Sequence, residues 1–145
     1  MYKILPASPK EYMSLIPYAI ESGKADFSAL SLCDIDKLVW YRGDGTNMTL
    51  ALIGHREIMF DEYPGKKFVL VCGIFTRDVR HHKRALIQMG DKYLDGLQTK
   101  YPLIALAAAE NPVYNKFLKD FGFEFTNSIE KNPVDDKVYN VYVRY

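Results

Sequence analysis

The sequence predicts an α/β chain of the α+β kind, a mixed sheet with helices on both faces. Three observations carry this expectation. Phe68-Val69-Leu70-Val71-Cys72-Gly73-Ile74-Phe75 is almost unbroken apolar sequence, as expected of a central strand covered on both faces. A helical segment and a second apolar run, Leu103–Ala109, follow it. A strand, helix, strand sequence of that length is a crossover unit, so Lys67–Phe75 and Leu103–Ala109 are expected side by side and parallel. Third, Asn111–Phe123 has the start and stop signals of a capped amphipathic helix directly after a strand.

Taken in order, Tyr2–Ala7 reads as a short strand. Ser8-Pro9-Lys10-Glu11 then supplies an N-cap, a first-turn proline and a capping-box glutamate. Tyr12, Leu15, Ile16, Ala19 and Ile20 repeat at helical spacing, with Pro17 expected to kink or divide that helix. Asp26–Trp40 is read as a second helical piece with Phe27, Leu30, Ile35 and Leu38 inward. A turn at Arg42-Gly43-Asp44-Gly45 leads into Met48–Gly54 and Glu57–Tyr63. A Pro64-Gly65 turn and Lys67–Phe75 then complete an antiparallel meander.

A basic connection runs into a helix from about Arg80 to Leu97, with Leu86, Met89, Tyr93, Leu94 and Leu97 inward. After Leu103–Ala109, Asn111 caps a helix that Pro112 begins and Gly122 ends. Its apolar face is Val113, Tyr114, Phe117, Leu118 and Phe121. Gly122–Ile129 and Val138–Arg144 form a terminal hairpin around Asn132–Asp136. The order is β-α-α-β-β-β-α-β-α-β-β, in one domain over residues 1–145 without repeat or linker.

Of the 145 residues, 48% are hydrophobic and 26% charged, a globular balance, and no apolar run is long enough to span a bilayer. The net charge of +1 argues against a general polyanion binder, so no specific nucleic acid is expected and any such role would rest on a local patch. Cys33 and Cys72 stand alone, and Cys72 reads as a buried thiol. The N-terminus lacks the apolar core of a secretion signal. His81 and His82 are adjacent, so a metal site would need ligands from elsewhere, and none is expected.

Arg77, Arg80, His81, His82, Lys83 and Arg84 concentrate positive charge where a helix starts, which suits either a phosphate or water. The start of the Asn111 helix offers N–H groups and a positive dipole end to an anion. Glu110 ends a strand near the expected cleft, where a solvated partner of the helix dipole is the plainer reading than a general base. Tyr139, Tyr142 and Tyr145 fit alternating packing on a strand.

The element order, with Leu103–Asn111 and Lys119-Asp120-Phe121-Gly122-Phe123, resembles the Gcn5-related acyl-CoA N-acyltransferases. The resemblance implies an acetyl-CoA cofactor held by Phe75, Arg80, His81, His82, Lys83, Arg84 and Asn111. Departures accompany it. The family's Arg/Gln-x-x-Gly-x-Gly/Ala loop maps onto Arg80–Ala85, with Lys83 where a glycine would let backbone approach a pyrophosphate. The tyrosine that commonly protonates the departing thiolate is here Leu118, and Tyr114, Tyr139 and Tyr142 lie off the motif position. No catalytic residue is therefore assigned.

With the Asn111, Phe117, Leu118, Lys119 pattern and the tyrosine-rich last strand, these departures resemble the small internal virion proteins of short-tailed, T7-like phages. That resemblance implies a pseudoenzyme with a structural or assembly role in the virion and a stay in the host cytoplasm during infection. Its implied partners are other virion or host proteins, including a second copy of itself. The competing expectation is an active acetyl-CoA-dependent N-acetyltransferase acting on a protein or small-molecule amine.

Overall fold

The structure, a computed structural model, describes residues 1–8, 10–11, 14, 33–59, 63–131 and 136–145. Among the described residues the elements are β1 (Tyr2–Pro6), β2 (Asp34–Tyr41), β3 (Asn47–Met59), β4 (Lys67–Phe75), α1 (Lys83–Leu97), β5 (Leu103–Ala108), α2 (Pro112–Asp120), β6 (Glu124–Lys131) and β7 (Val138–Arg144). A 3-10 turn, Arg77–His81, precedes α1. The strands form a seven-stranded mixed sheet in the order β1-β2-β3-β4-β5-β7-β6. Two compact units divide the chain: residues 1–55 with 72–86, and residues 56–71 with 87–145.

In the first unit β1, β2 and β3 are antiparallel neighbours. The expected capping box is formed: Ser8 Oγ accepts from the Glu11 N–H at 3.3 Å, and Glu11 Oε2 accepts from the Ser8 N–H at 2.7 Å. Lys37 of β2 donates to the same glutamate, holding its carboxyl below the ordinary range. The apolar positions expected to follow, Tyr12 to Ile20, lie outside the described residues.

The helical reading of Asp26–Trp40 fails over Asp34–Trp40, which is strand; residues 26–32 lie outside the description. Ile35, Leu38 and Val39 are all buried, and Leu38 and Val39, being consecutive, point to opposite faces. A strand covered on both faces thus shows i, i+3, i+4 burial, the signature of an amphipathic helix. The two strands expected at Met48–Gly54 and Glu57–Tyr63 are also corrected, since Asn47–Met59 is one strand. Gly54 pairs with Ile35 and His55 with Asp34, so the ladder runs through the glycine taken for a break.

Thr76, 2% exposed, closes β4 against β3: its N–H and hydroxyl both donate to the Leu50 C=O, at 2.9 and 3.1 Å. Leu50 is skipped in the register between Leu38↔Ala51 and Val39↔Thr49, so Thr76 satisfies the carbonyl of a bulge.

In the second unit, β4 and β5 pair in parallel at Val69↔Leu103 and Leu70↔Ile104, as the crossover requires. On its other side β5 pairs antiparallel with β7, which pairs with β6. Every residue of β4 after Lys67 is buried. On α1, Leu86, Gly90 and Leu94 form the buried line, while Met89, Tyr93 and Leu97 are only half-buried. On α2, Tyr114, Phe117 and Leu118 are buried, whereas Val113, expected inside, is exposed.

Candidate functional site

The basic segment lies in the first unit and is folded differently from its expectation. Arg80 and His81 belong to the 3-10 turn, and α1 begins at Lys83. Val79, wholly buried, anchors the turn, leaving Arg77, Arg80 and His81 exposed on it and Lys83 and Arg84 exposed on the first turn of α1. The first helical bond runs from the Leu86 N–H to the His82 C=O at 2.9 Å, so the Arg84 and Ala85 N–H groups precede it. No acidic residue lies in that turn. Cations at a helix N-terminus oppose the dipole by about 0.3–1 kcal/mol each at an exposed site, an arrangement that a bound anion relieves.

His82 has a different place. Its Nδ1 is 2.7 Å from the Tyr2 hydroxyl, its ring centroid is 4.4 Å from that of Trp40, and Arg42 lies over the same indole at 5.1 Å. The half-buried histidine thus ties the basic turn to β1 and β2. Tyr2 and Trp40 gave no sign of this in sequence, because the contact joins residues far apart in the chain. Phe75, buried at the end of β4, directly precedes Thr76.

Asn111 lies in the second unit. Its Oδ1 accepts from the Tyr114 N–H at 2.8 Å and Pro112 follows, as expected. The cap has a chemical consequence. Proline brings no N–H and the Tyr114 N–H is taken by Asn111, so the start of α2 has fewer donors for an anion than a bare helix end. What Asn111 retains is its Nδ2, a neutral donor suited to a carbonyl oxygen.

At the other end Gly122, at φ +84°, closes the helix. Its N–H donates to the Lys119 C=O at 3.0 Å and the Phe123 N–H to the Leu118 C=O at 2.9 Å. Leu118 is 4% exposed. Glu110 forms an exposed ion pair with Lys137 at 3.2 Å.

Sequence reasoning missed Asn115. Its Nδ2 donates to the C=O groups of Ala108 and Asn111 at 2.9 and 2.6 Å. Its Oδ1 accepts from Asn140 Nδ2 at 3.0 Å and the Tyr142 hydroxyl at 2.7 Å. Burial pushes the Tyr142 phenol above its ordinary pKa. Among the described residues no group of three or more His, Cys, Asp or Glu side chains could hold a metal ion.

Neither a protein-family model nor a curated protein sequence matches the chain. Solved structures do. An aminoglycoside N(6′)-acetyltransferase from Legionella pneumophila superposes with a TM-score of 0.69 at 12% identity, over 99% of this chain and 91% of that one. A GNAT-family acetyltransferase from Bacillus anthracis gives 0.62 at 12% identity, over 98% and 93%. An acyl-CoA N-acyltransferase from Pseudomonas aeruginosa gives 0.56 at 16% identity, over 100% and 99%. The fold is that of the GNAT acyl-CoA N-acyltransferases.

Proposed function

We propose that this is an acetyltransferase-like phage protein with a structural or assembly role in the virion, which retains acyl-CoA binding and has lost efficient acetyl transfer. The observation that carries the reading is Leu118. It is buried on α2 where the resemblance places the tyrosine that protonates the leaving thiolate, and an isobutyl group donates no proton. The nearby Tyr142 hydroxyl already donates to Asn115.

Binding is supported by the exposed basic side chains at the start of α1 and by the Nδ2 donors of Asn111. In the first unit Arg80, Lys83 and Arg84 suit phosphates; in the second the Asn111 Nδ2 suits a carbonyl oxygen. Lys83 serves as a point charge in place of a glycine cradle. When bound, acetyl-CoA supplies the activated thioester. Other virion or host proteins are the partners, in the particle and in the host cytoplasm during infection.

Calorimetry with acetyl-CoA and a turnover assay on free amines test this together. The expected result is measurable binding with slow transfer, since loss of general acid assistance costs about 10²–10⁴-fold. Leu118→Tyr is expected to raise the rate. Absence of binding at millimolar acetyl-CoA would defeat the cofactor part, and absence of the chain from purified particles by mass spectrometry the virion part.

The second reading is an active N-acetyltransferase for a protein or small-molecule amine, favoured by the intact Asn111 cap. Robust wild-type turnover that Leu118→Tyr fails to increase would establish it.

A further inference from the structure

Asn115 makes more hydrogen bonds than the helix around it requires. The backbone alone already closes the junction between β5 and α2: the Asn111 N–H donates to the Ala108 C=O at 2.9 Å, and the Asn115 N–H to the Asn111 C=O at 3.2 Å. The Asn115 side chain then donates to both of those carbonyls a second time. Its own oxygen takes one donor from Asn140 and one from Tyr142. A carboxamide offers two N–H groups and two lone pairs, and here every one is used.

The strand register explains how this is possible. Asn140 pairs with Ala107 and Tyr142 with Ala105, so both side chains rise from β7 on the same sheet face as those two β5 residues. Asn115, one helical turn past Asn111, meets them there. One side chain thus joins the end of β5, the first turn of α2 and β7.

We propose that Asn115 is a positioning residue for ligand binding at Asn111, holding the Ala108–Asn111 turn so that the Asn111 Nδ2 stays available to a ligand carbonyl. The inference rests on the acyl-CoA-binding reading above. The chemistry selects asparagine: aspartate would set negative charge against two carbonyl oxygens, and alanine would take the acceptor from Asn140 and Tyr142 and leave the two carbonyls with their backbone donors alone. Leucine would fill the space without a donor.

The test compares wild type with Asn115→Ala by calorimetry, using acetyl-CoA and, separately, 3′,5′-ADP, which carries the adenosine, the 3′-phosphate and one of the two 5′-phosphates without the arm. Asn115→Ala is expected to weaken acetyl-CoA roughly tenfold, the worth of about one hydrogen bond, and to leave 3′,5′-ADP within about twofold. Thermal melting of each variant establishes that it is folded. Should Asn115→Ala not fold, Tyr142→Phe keeps the ring and removes one donor to Oδ1, and the same selective loss is expected at about threefold.

Equal loss of both ligands would mean that Asn115 is merely structural, and no loss of either would mean that the turn holds without it; each overturns the inference alone. Wild type that binds no acetyl-CoA at millimolar concentration overturns it together with the reading beneath it.

Discussion

Gly90 of α1 has no room for a side chain. A Cβ there would collide with Cε1 of the Phe121 ring, with Cζ and Cδ1 at 3.1 and 3.2 Å. Phe121 is itself buried and stacked on Phe117 at 6.4 Å, so the ring cannot swing away. Gly90→Ala gains about 1 kcal/mol in helix propensity but overpacks a core contact at about 1–3 kcal/mol. A net loss of about 1 kcal/mol is expected in urea unfolding, and a stabilised variant would contradict the packing described.

Tyr142 supplies a pH dependence at the same scale. Burial raises its phenol above the ordinary value of 10.0, so the folded state holds the proton longer than the unfolded chain does. Its contribution is therefore whole below about pH 10 and drains as pH rises through the folded pKa. Melting temperatures measured from pH 8 to 11 should fall less steeply above pH 10 in Tyr142→Phe than in wild type. Parallel profiles would deny the phenol this role.

Among the elements, β7 is fastened by Arg144. Its Nε donates to the Phe121 C=O at 2.9 Å, its Nη1 to Gln98 Oε1 at 2.7 Å and its Nη2 to Asp95 Oδ1 at 2.8 Å. One planar guanidinium thus holds the C-terminal ends of α1 and α2 to a strand, and adds positive charge at the C-terminal end of α2. Arg144→Ala is expected to cost about 2 kcal/mol, and Arg144→Lys to recover little because an ammonium lacks the fork. Full recovery by lysine in denaturant titrations would show that charge alone matters.

At the other end of the chain, the Glu11 carboxyl is held down chiefly by its hydrogen bond from Lys37. Its stabilisation is present above the ordinary glutamate range and is lost as pH falls through the depressed value. The pair is partly exposed, so Glu11→Gln should cost no more than about 1 kcal/mol at neutral pH. That deficit should shrink toward pH 3 in melting experiments.

Across the whole molecule, β3, β4 and α1 each run from one compact unit into the other. Neither unit can unfold without breaking elements of its counterpart, so a single cooperative transition is expected. Trp40, the one tryptophan, lies in the first unit, while far-ultraviolet circular dichroism reports all the elements. Their urea transitions should coincide, and separate midpoints would mean that the units melt independently.

Local signals legible in the sequence were those whose cause is itself local. The Ser8–Glu11 capping box, the Asn111–Pro112 start, the Gly122 stop and the apolar β4 each follow from a few consecutive residues, because caps and turns close within four residues. The parallel pairing of β4 with β5 was legible too, since crossover length and handedness leave little choice.

Tertiary structure alone decided that Asp34–Tyr41 is a strand, since burial on both its faces erased the period of two and left a helical one. Partners from β2 likewise carried β3 through Gly54. It also decided that His82 serves as an anchor to Tyr2 and Trp40, and that Asn115 sits at the centre of a polar junction. Such roles depend on contacts between residues distant in the chain, and no spacing in the sequence records where the fold will bring them together.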